Sequence, residues 1–309
     1  MSPRAHPPAT IVASGNGAGA LATGMRILAR GGSALDAVEA CARIVEADPA
    51  DRSVGLGGRP NVLGEVELDA SIMDGETRAA GAVAALRGHL HPITVARAVM
   101  TRLPHVLLAG EGAARFAREI GAERAELLTA ETAALWRARL RREKVDLASL
   151  DRAPLAPLVW RTVPDQGTVN FLALDRKGRL ASAVSTSGWA YKYPGRVGDS
   201  PLIGAGNYCD GRAGAAARTG FGELAIRCST ARIAVERLAR GDGPEDVAAA
   251  AIADANALSS PGRRLNVVVL TTDGRHAAAS NKRGTRYAFM TSAMREAVLA
   301  PRRIVRRAT

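Results

Sequence analysis

Between Gly167 and Gly222 the chain gathers hydroxyls, charges and glycines at spacings that suit acyl-transfer chemistry. Thr168 opens a short apolar run directly after a proline-rich segment, and Thr186 follows. Arg196 and Asp199 share a glycine-rich turn, and Thr219-Gly220 begin the run TGFGE. A hydroxyl nucleophile needs a base, yet no histidine lies in this stretch. The five histidines of the chain, His6, His89, His91, His105 and His276, have no motif around them and read as solvated or core imidazoles. The 30 acidic residues single out no carboxylate pair. Metal-ligand spacing is absent, and the Gly57-Gly58 run lacks the phosphate-loop patterns. What remains is a threonine that supplies its own base. A Thr at a chain N-terminus carries an α-amino group with a pKa of about 8, able to take the hydroxyl proton directly or through water. Thr168 is internal, so this chemistry requires scission of Gly167–Thr168 by attack of the Thr168 hydroxyl on the preceding carbonyl. On composition alone, an ordinary strand-opening threonine is the preferred reading and the self-cleaving nucleophile its alternative.

The elements that must position these groups can be read from pattern. TIVAS (Thr10 to Ser14) predicts a first strand, and Leu21 to Arg30 a helix stopped by Gly31-Gly32. Ser33 with Asp36 three residues on predicts a capping box opening a second helix to about Ala47. VELDASIM (Val66 to Met73) alternates imperfectly and predicts a strand with its turn at Asp74-Gly75. Helices follow over Ile93 to Arg102, Gly112 to Ile120, and from a Thr129 cap to Glu143. From Val145 to Gly167 the prolines 154, 157 and 164 predict a loop or linker. Thr168–Leu174 and Arg179–Ser185 then form a hairpin about Asp175-Arg176-Lys177-Gly178. Thr168 and Thr186 each stand nine positions from Lys177, so a symmetric hairpin makes them cross-strand neighbours. Further helices at Thr230–Arg240 and Pro244–Ala257 precede a second hairpin, Asn266–Thr271 with His276–Ser280, and a last strand near Tyr287–Thr291. Paired helices and hairpins predict layered α and β structure with antiparallel pairing rather than βαβ units.

Composition narrows the classes of function. At 309 residues with 47% apolar and only 4% aromatic residues, the core should pack Ala, Val and Leu. The net charge of +12 is mostly arginine spread along the chain, including Arg137 to Arg142 and Arg302 to Arg307. No aromatic-interleaved basic motif accompanies it, so a solvated basic face is preferred to nucleic-acid binding, with attraction for acidic ligands retained. No run is long and uncharged enough to span a membrane. The stretch MSPRAHPPATIV lacks an apolar secretory core. The odd cysteine set, Cys41, Cys209 and Cys228, suggests reduced thiols, so a cytoplasmic location is expected.

The ordered motifs GGSALDAVEA (31–40), DRSVGLGGRP (51–60), GEVELDASIMDG (64–75), STSG (185–188), GRVGDSP (195–201), GAG (204–206) and TGFGE (219–223) cover nearly the whole chain. With them the chain resembles the glycosylasparaginases and the related isoaspartyl peptidase/L-asparaginases, N-terminal-nucleophile hydrolases. The resemblance implies an α+β fold, a four-layer αββα sandwich, as one domain over 1–309. That domain would be autocleaved into 1–167, with linker 145–167, and 168–309. It implies Thr168 as nucleophile with its freed amine as base, Thr186 supporting it, and Ser53 as a further hydroxyl partner. Arg196 and Asp199 would hold the α-carboxylate and α-amino group of an aspartyl substrate. Thr219 and Gly220 would form the oxyanion hole. No metal or cofactor is implied, and two cleaved units would pair as a dimer.

SVGLGGRP and LDASIMDG look most like the glycosylasparaginase branch, so release of a GlcNAc-amine is the first expectation. Ammonia or a β-aspartyl peptide's amine is the rival, and an uncleaved homologue that only binds aspartyl ligands is the alternative from another class. Three positions depart from the pattern: Gly167 replaces an Asp, as in the plant-type asparaginase branch; Asn170 replaces a glycine; and Ser14-Gly15 stand where glycosylasparaginases carry a pocket tryptophan. Trp189 is a candidate replacement wall, or simply a core or interface aromatic.

Overall fold

The computed structural model describes residues 7–160, 167–259 and 263–307. Strand β1 (Thr10–Ser14) runs through a 3-10 turn at Gly15–Ala20 into helices α1 (Leu21–Ala29) and α2 (Ala34–Glu46). The capping box forms as its spacing predicts. Asp36 N–H donates to Ser33 Oγ at 3.1 Å, and Ser33 N–H to Asp36 Oδ2 at 3.3 Å. A hairpin of β2 (Leu68–Asp74) and β3 (Ala80–Leu86) follows, then α3 (Pro92–Arg102), β4 (Leu107–Ala109), α4 (Gly110–Glu119) and α5 (Ala130–Arg142). Strand β3, AGAVAAL, has no counterpart among the sequence expectations, because alanine is a poor strand former. Its small residues instead serve packing: a Cβ on Gly81 would lie 2.0 Å from the Ala96 carbonyl oxygen, so α3 presses directly on the strand.

The expected linker over 145–167 is partly helical. A 3-10 turn covers Leu147–Arg152, with the Asp146 carboxylate accepting from Ala148 N–H, and α6 covers Ala156–Trp160. Pro157 falls in the first turn of α6, where a missing N–H breaks no intrahelical bond, so proline here does not exclude helix. Residues 161–166 of that linker lie outside the described residues.

The second half contributes β5 (Val169–Leu174), β6 (Leu180–Thr186), β7 (Asn207–Asp210), β8 (Gly214–Gly220) and α7 (Gly222–Cys228). Then come α8 (Thr230–Ala239), α9 (Pro244–Ala257), β9 (Leu265–Thr271), β10 (His276–Ser280), β11 (Arg286–Thr291), β12 (Val298–Pro301) and β13 (Arg303–Ile304). The larger sheet has the order β12-β11-β1-β5-β6-β2-β3-β4, and the smaller β13-β10-β9-β8-β7. Neighbouring strands are antiparallel except β3 with β4 and β10 with β13.

Alternate residues of the central strands enter different cores. Ile11, Ile72, Val83 and Phe171 pack with Val38 and Ile93 from the helices on one side of the larger sheet. Their neighbours Val12, Met73 and Leu172 pack against Ala215, Ala217 and Val268 of the smaller sheet. Val267 and Val269 face a third cluster with Val235, Val247 and Ile252. Burial of both strand faces explains why VELDASIM does not alternate cleanly: neither face needs to be polar. Each fully buried Leu or Val contributes roughly 1.5–3 kcal/mol. Among the described residues no helix is long and apolar enough to cross a membrane.

Candidate active site

The hairpin register is the symmetric one. Val169 pairs with Ser185 and Leu174 with Leu180, so Thr168, one residue ahead of β5, faces Thr186 at the end of β6. Thr168 Oγ1 lies 2.7 Å from the Gly167 carbonyl oxygen and 3.2 Å from Thr186 Oγ1. Thr186 Oγ1 donates to that same carbonyl at 2.7 Å and accepts from Gly188 N–H at 2.9 Å. Ser53 approaches from the loop after α2. Its carbonyl accepts from Ser187 N–H at 2.8 Å, and its hydroxyl donates to Asp51. A Cβ on Gly167 would fall 1.9 Å from Ser53 Cβ, so only glycine lets this backbone pass the serine.

A chain of polar side chains ties this bond to the end of β1. Asp51 accepts from Asn16 Nδ2 at 2.7 Å, and Ser14 Oγ donates to Asn16 Oδ1 at 2.7 Å. Ser14 N–H donates to Asn170 Oδ1 at 3.0 Å, and Asn170 N–H returns to Ser14 Oγ at 3.2 Å. Asn170 is buried and turned toward β1, so the two departures from the family pattern, Ser14 and Asn170, satisfy each other.

Arg196 and Asp199 sit together with Thr168, Thr186, Trp189 and Gly220 around a tight inner cavity. The Arg196 guanidinium stacks 4.4 Å above the Trp189 ring, which meets Phe221 at 4.7 Å. Glu223 accepts from Arg196 Nε at 3.0 Å and Nη2 at 2.8 Å. Asp199 is buried, and its Oδ2 has no hydrogen-bond partner. Burial pushes its carboxyl above the usual range, against the pull of Arg218 and Arg196. Arg218 Nε stands 3.8 Å from that oxygen, and burial holds this guanidinium below its ordinary value.

Thr219 closes β8 opposite Asn266, whose Nδ2 donates to Thr219 Oγ1 at 3.0 Å, leaving the threonine hydrogen free to donate elsewhere. Gly220 has φ +114°, and a Cβ there would sit 2.2 Å from the Arg264 carbonyl oxygen. Thr168 lines the inner cavity and also an outer one of about 400 Å³, whose walls include Ser53, Thr219 and Asn266. Every site residue expected from sequence therefore lines one or both cavities at Thr168, with Gly167 common to the two.

Several supporting residues were not legible in the sequence. Asp69 on β2 pairs with Thr186 on β6, accepts from Ala85 N–H at 2.8 Å, and keeps a buried Oδ2 with no hydrogen-bond partner. Glu67 accepts from Gly195 N–H at 3.0 Å and from Arg87 at 2.7 Å, and the buried Lys192 donates to its carbonyl at 3.1 Å. Burial holds the Lys192 ammonium below its usual range, with Asp69 and Glu67 opposing. This buried network fixes Gly195, next to Arg196. Glu67 and Asp69 lie within GEVELDASIMDG (64–75) and Glu223 within TGFGE (219–223), but the motifs gave them no role, and Lys192 lies in none. Among the described residues no group of His, Cys, Asp and Glu side chains could hold a metal ion.

A sequence model of the family described as Asparaginase matches residues 13–300. The N(4)-(β-N-acetylglucosaminyl)-L-asparaginase of Elizabethkingia miricola is 44% identical over 227 residues, covering 74% of this chain and 63% of that protein. The isoaspartyl peptidase/L-asparaginase of Mus musculus is 40% identical over 232 residues, 74% of this chain and 67% of that protein. The plant-type L-asparaginase of Pyrococcus furiosus is 37% identical over 279 residues, 90% of this chain and 89% of that one. The aligned part thus spans about two thirds of the length of the first two relatives and most of the third.

Proposed function

The chain belongs to the asparaginase family of amidohydrolases, and from that premise we propose that it cuts the side-chain amide of an asparagine derivative with Thr168 as nucleophile. The observation that carries this reading is the convergence of the Thr168 and Thr186 hydroxyls on the Gly167 carbonyl. In the precursor, Thr186 polarises that carbonyl while Thr168 Oγ1 attacks its carbon. The Gly167–Thr168 C–N bond breaks, the nitrogen leaves as the Thr168 amine, and water hydrolyses the resulting ester. The layers are read as αββα, and two processed units pair as the working enzyme.

In the processed enzyme the freed amine takes the Thr168 hydroxyl proton as Oγ1 bonds to the substrate's amide carbon. Arg196 holds the α-carboxylate through the Nη1 side that Glu223 leaves open. The unpartnered Asp199 Oδ2 accepts from the α-ammonium, supplying the hydrogen bond that this buried oxygen lacks. Thr219 Oγ1 and Gly220 N–H stabilise the oxyanion, a contribution of roughly 2.7–4 kcal/mol per donor. The C–N bond then breaks, the amine leaves with the proton, and water releases aspartate from the ester. Acid quenching during turnover of L-asparagine should leave one aspartyl residue esterified to the peptide that begins at Thr168. An adduct mapped to any other residue would refute this assignment.

A further inference from the structure

The outer cavity bears more positive charge than the binding of an aspartyl group requires. Arg264, Arg286 and Arg302 all line it, with Thr168 on the same cavity wall system. Arg302 is only 5% exposed. Its Nε donates to the Arg286 carbonyl at 3.1 Å and its Nη1 to the Val267 carbonyl at 2.8 Å, and no carboxylate among the described residues pairs with it. Arg286 donates to the Leu299 carbonyl at 2.6 Å. The acid on the cavity wall, Asp51, is already engaged by Asn16 and Ser53. Burial, with Arg264 nearby, lowers the Arg302 guanidinium to about 10, which still leaves it charged at neutral pH. A buried cation bonded only to carbonyls lacks the opposite charge that normally offsets its desolvation. A neutral sugar amine would leave it so, whereas a carboxylate would supply the partner and could be held by paired N–H groups.

We propose that this cavity is a leaving-group subsite for an amine that itself carries a carboxylate, as the departing half of a β-aspartyl dipeptide does, with Arg302 and Arg286 as its specificity-determining residues. The proposal rests on Thr168 being the nucleophile that faces this cavity and names what leaves from it.

The matched substrates β-aspartyl-glycine and β-aspartyl-glycinamide differ only in that charge. For the processed enzyme at low salt, kcat/KM should favour the acid by about tenfold, and added salt should shrink the preference. The ratio should fall toward one in Arg286→Gln and in Arg302→Gln. Arg286 is exposed, so its variant keeps the test open should the buried Arg302 variant fail to fold. A ratio near one in the unsubstituted enzyme, or a ratio that survives in Arg286→Gln, overturns the subsite. If those substrates are turned over without discrimination, only the subsite falls. If no aspartyl amide is turned over, L-asparagine included, the amidohydrolase assignment falls with it.

Discussion

Thr168 and Thr186 place their hydroxyl oxygens 3.2 Å apart, each within 2.7 Å of the carbonyl oxygen of Gly167. Thr186 thus donates to the carbonyl of the bond that the proposed mechanism breaks, with Gly188 N–H fixing its orientation. Thr186→Val keeps the shape and removes the donor. Self-processing should slow by about 10²–10³, the usual effect of deleting one oxyanion donor. A time course of fragment appearance by mass spectrometry measures this directly, and an unchanged rate would remove Thr186 from the mechanism.

Gly167 and Ser53 share one space. Because a Cβ at 167 would overlap the serine, Gly167→Ala should displace the scissile bond and slow processing at least about tenfold, the effect of roughly 1.4 kcal/mol. Adding Ser53→Gly should restore much of the rate. If the double variant is as slow as Gly167→Ala, the glycine is needed for another reason.

On the proposed function, Asp199 should set a pH dependence. Burial raises its carboxyl above the usual aspartate range, and only the ionised form can pair with an ammonium. In the processed enzyme kcat/KM should therefore climb with pH through that raised value. The free enzyme's stability moves the other way: the contribution from Asp199 is complete below the unfolded-state pKa and is lost as pH rises through the folded one. Asp199→Asn should abolish the acid limb and lower kcat/KM about tenfold to hundredfold. A limb that persists in the asparagine variant would belong to another group.

The Ser14–Asn170 pair joins β1 to β5 beside Thr168. Asn170→Gly removes the acceptor from the buried Ser14 N–H and should destabilise the fold by about 1–3 kcal/mol. Urea unfolding gives the value, and a variant as stable as the parent would assign Asn170 no structural part.

The Lys177-centred hairpin was legible because a turn signal and two apolar runs fix register by counting, and the capping box at Ser33 because its spacing is local. Strands β3 and β8 were not, since their alanine-rich sequences carry one β-branched residue each, Val83 and Thr219, and are strands because of the layers that pack on them. Arg218, Asn266 and Lys192 escaped for a related reason: each acts through a partner far away in sequence. The charge of the outer cavity was equally hidden, being assembled from Arg264, Arg286 and Arg302 on separate segments near the C-terminus. Motif likeness favoured a sugar amine as leaving group, whereas the subsite proposed at this cavity would take one carrying a carboxylate.

Intact-mass analysis with N-terminal sequencing of the purified protein decides whether Thr168 becomes a terminal nucleophile. Two fragments should appear, one ending at Gly167 and one beginning at Thr168, and Thr168→Ala should stay a single chain. A parent protein that remains uncut after prolonged incubation, or a Thr168→Ala variant cut at the same bond, would contradict the threonine mechanism at its first step.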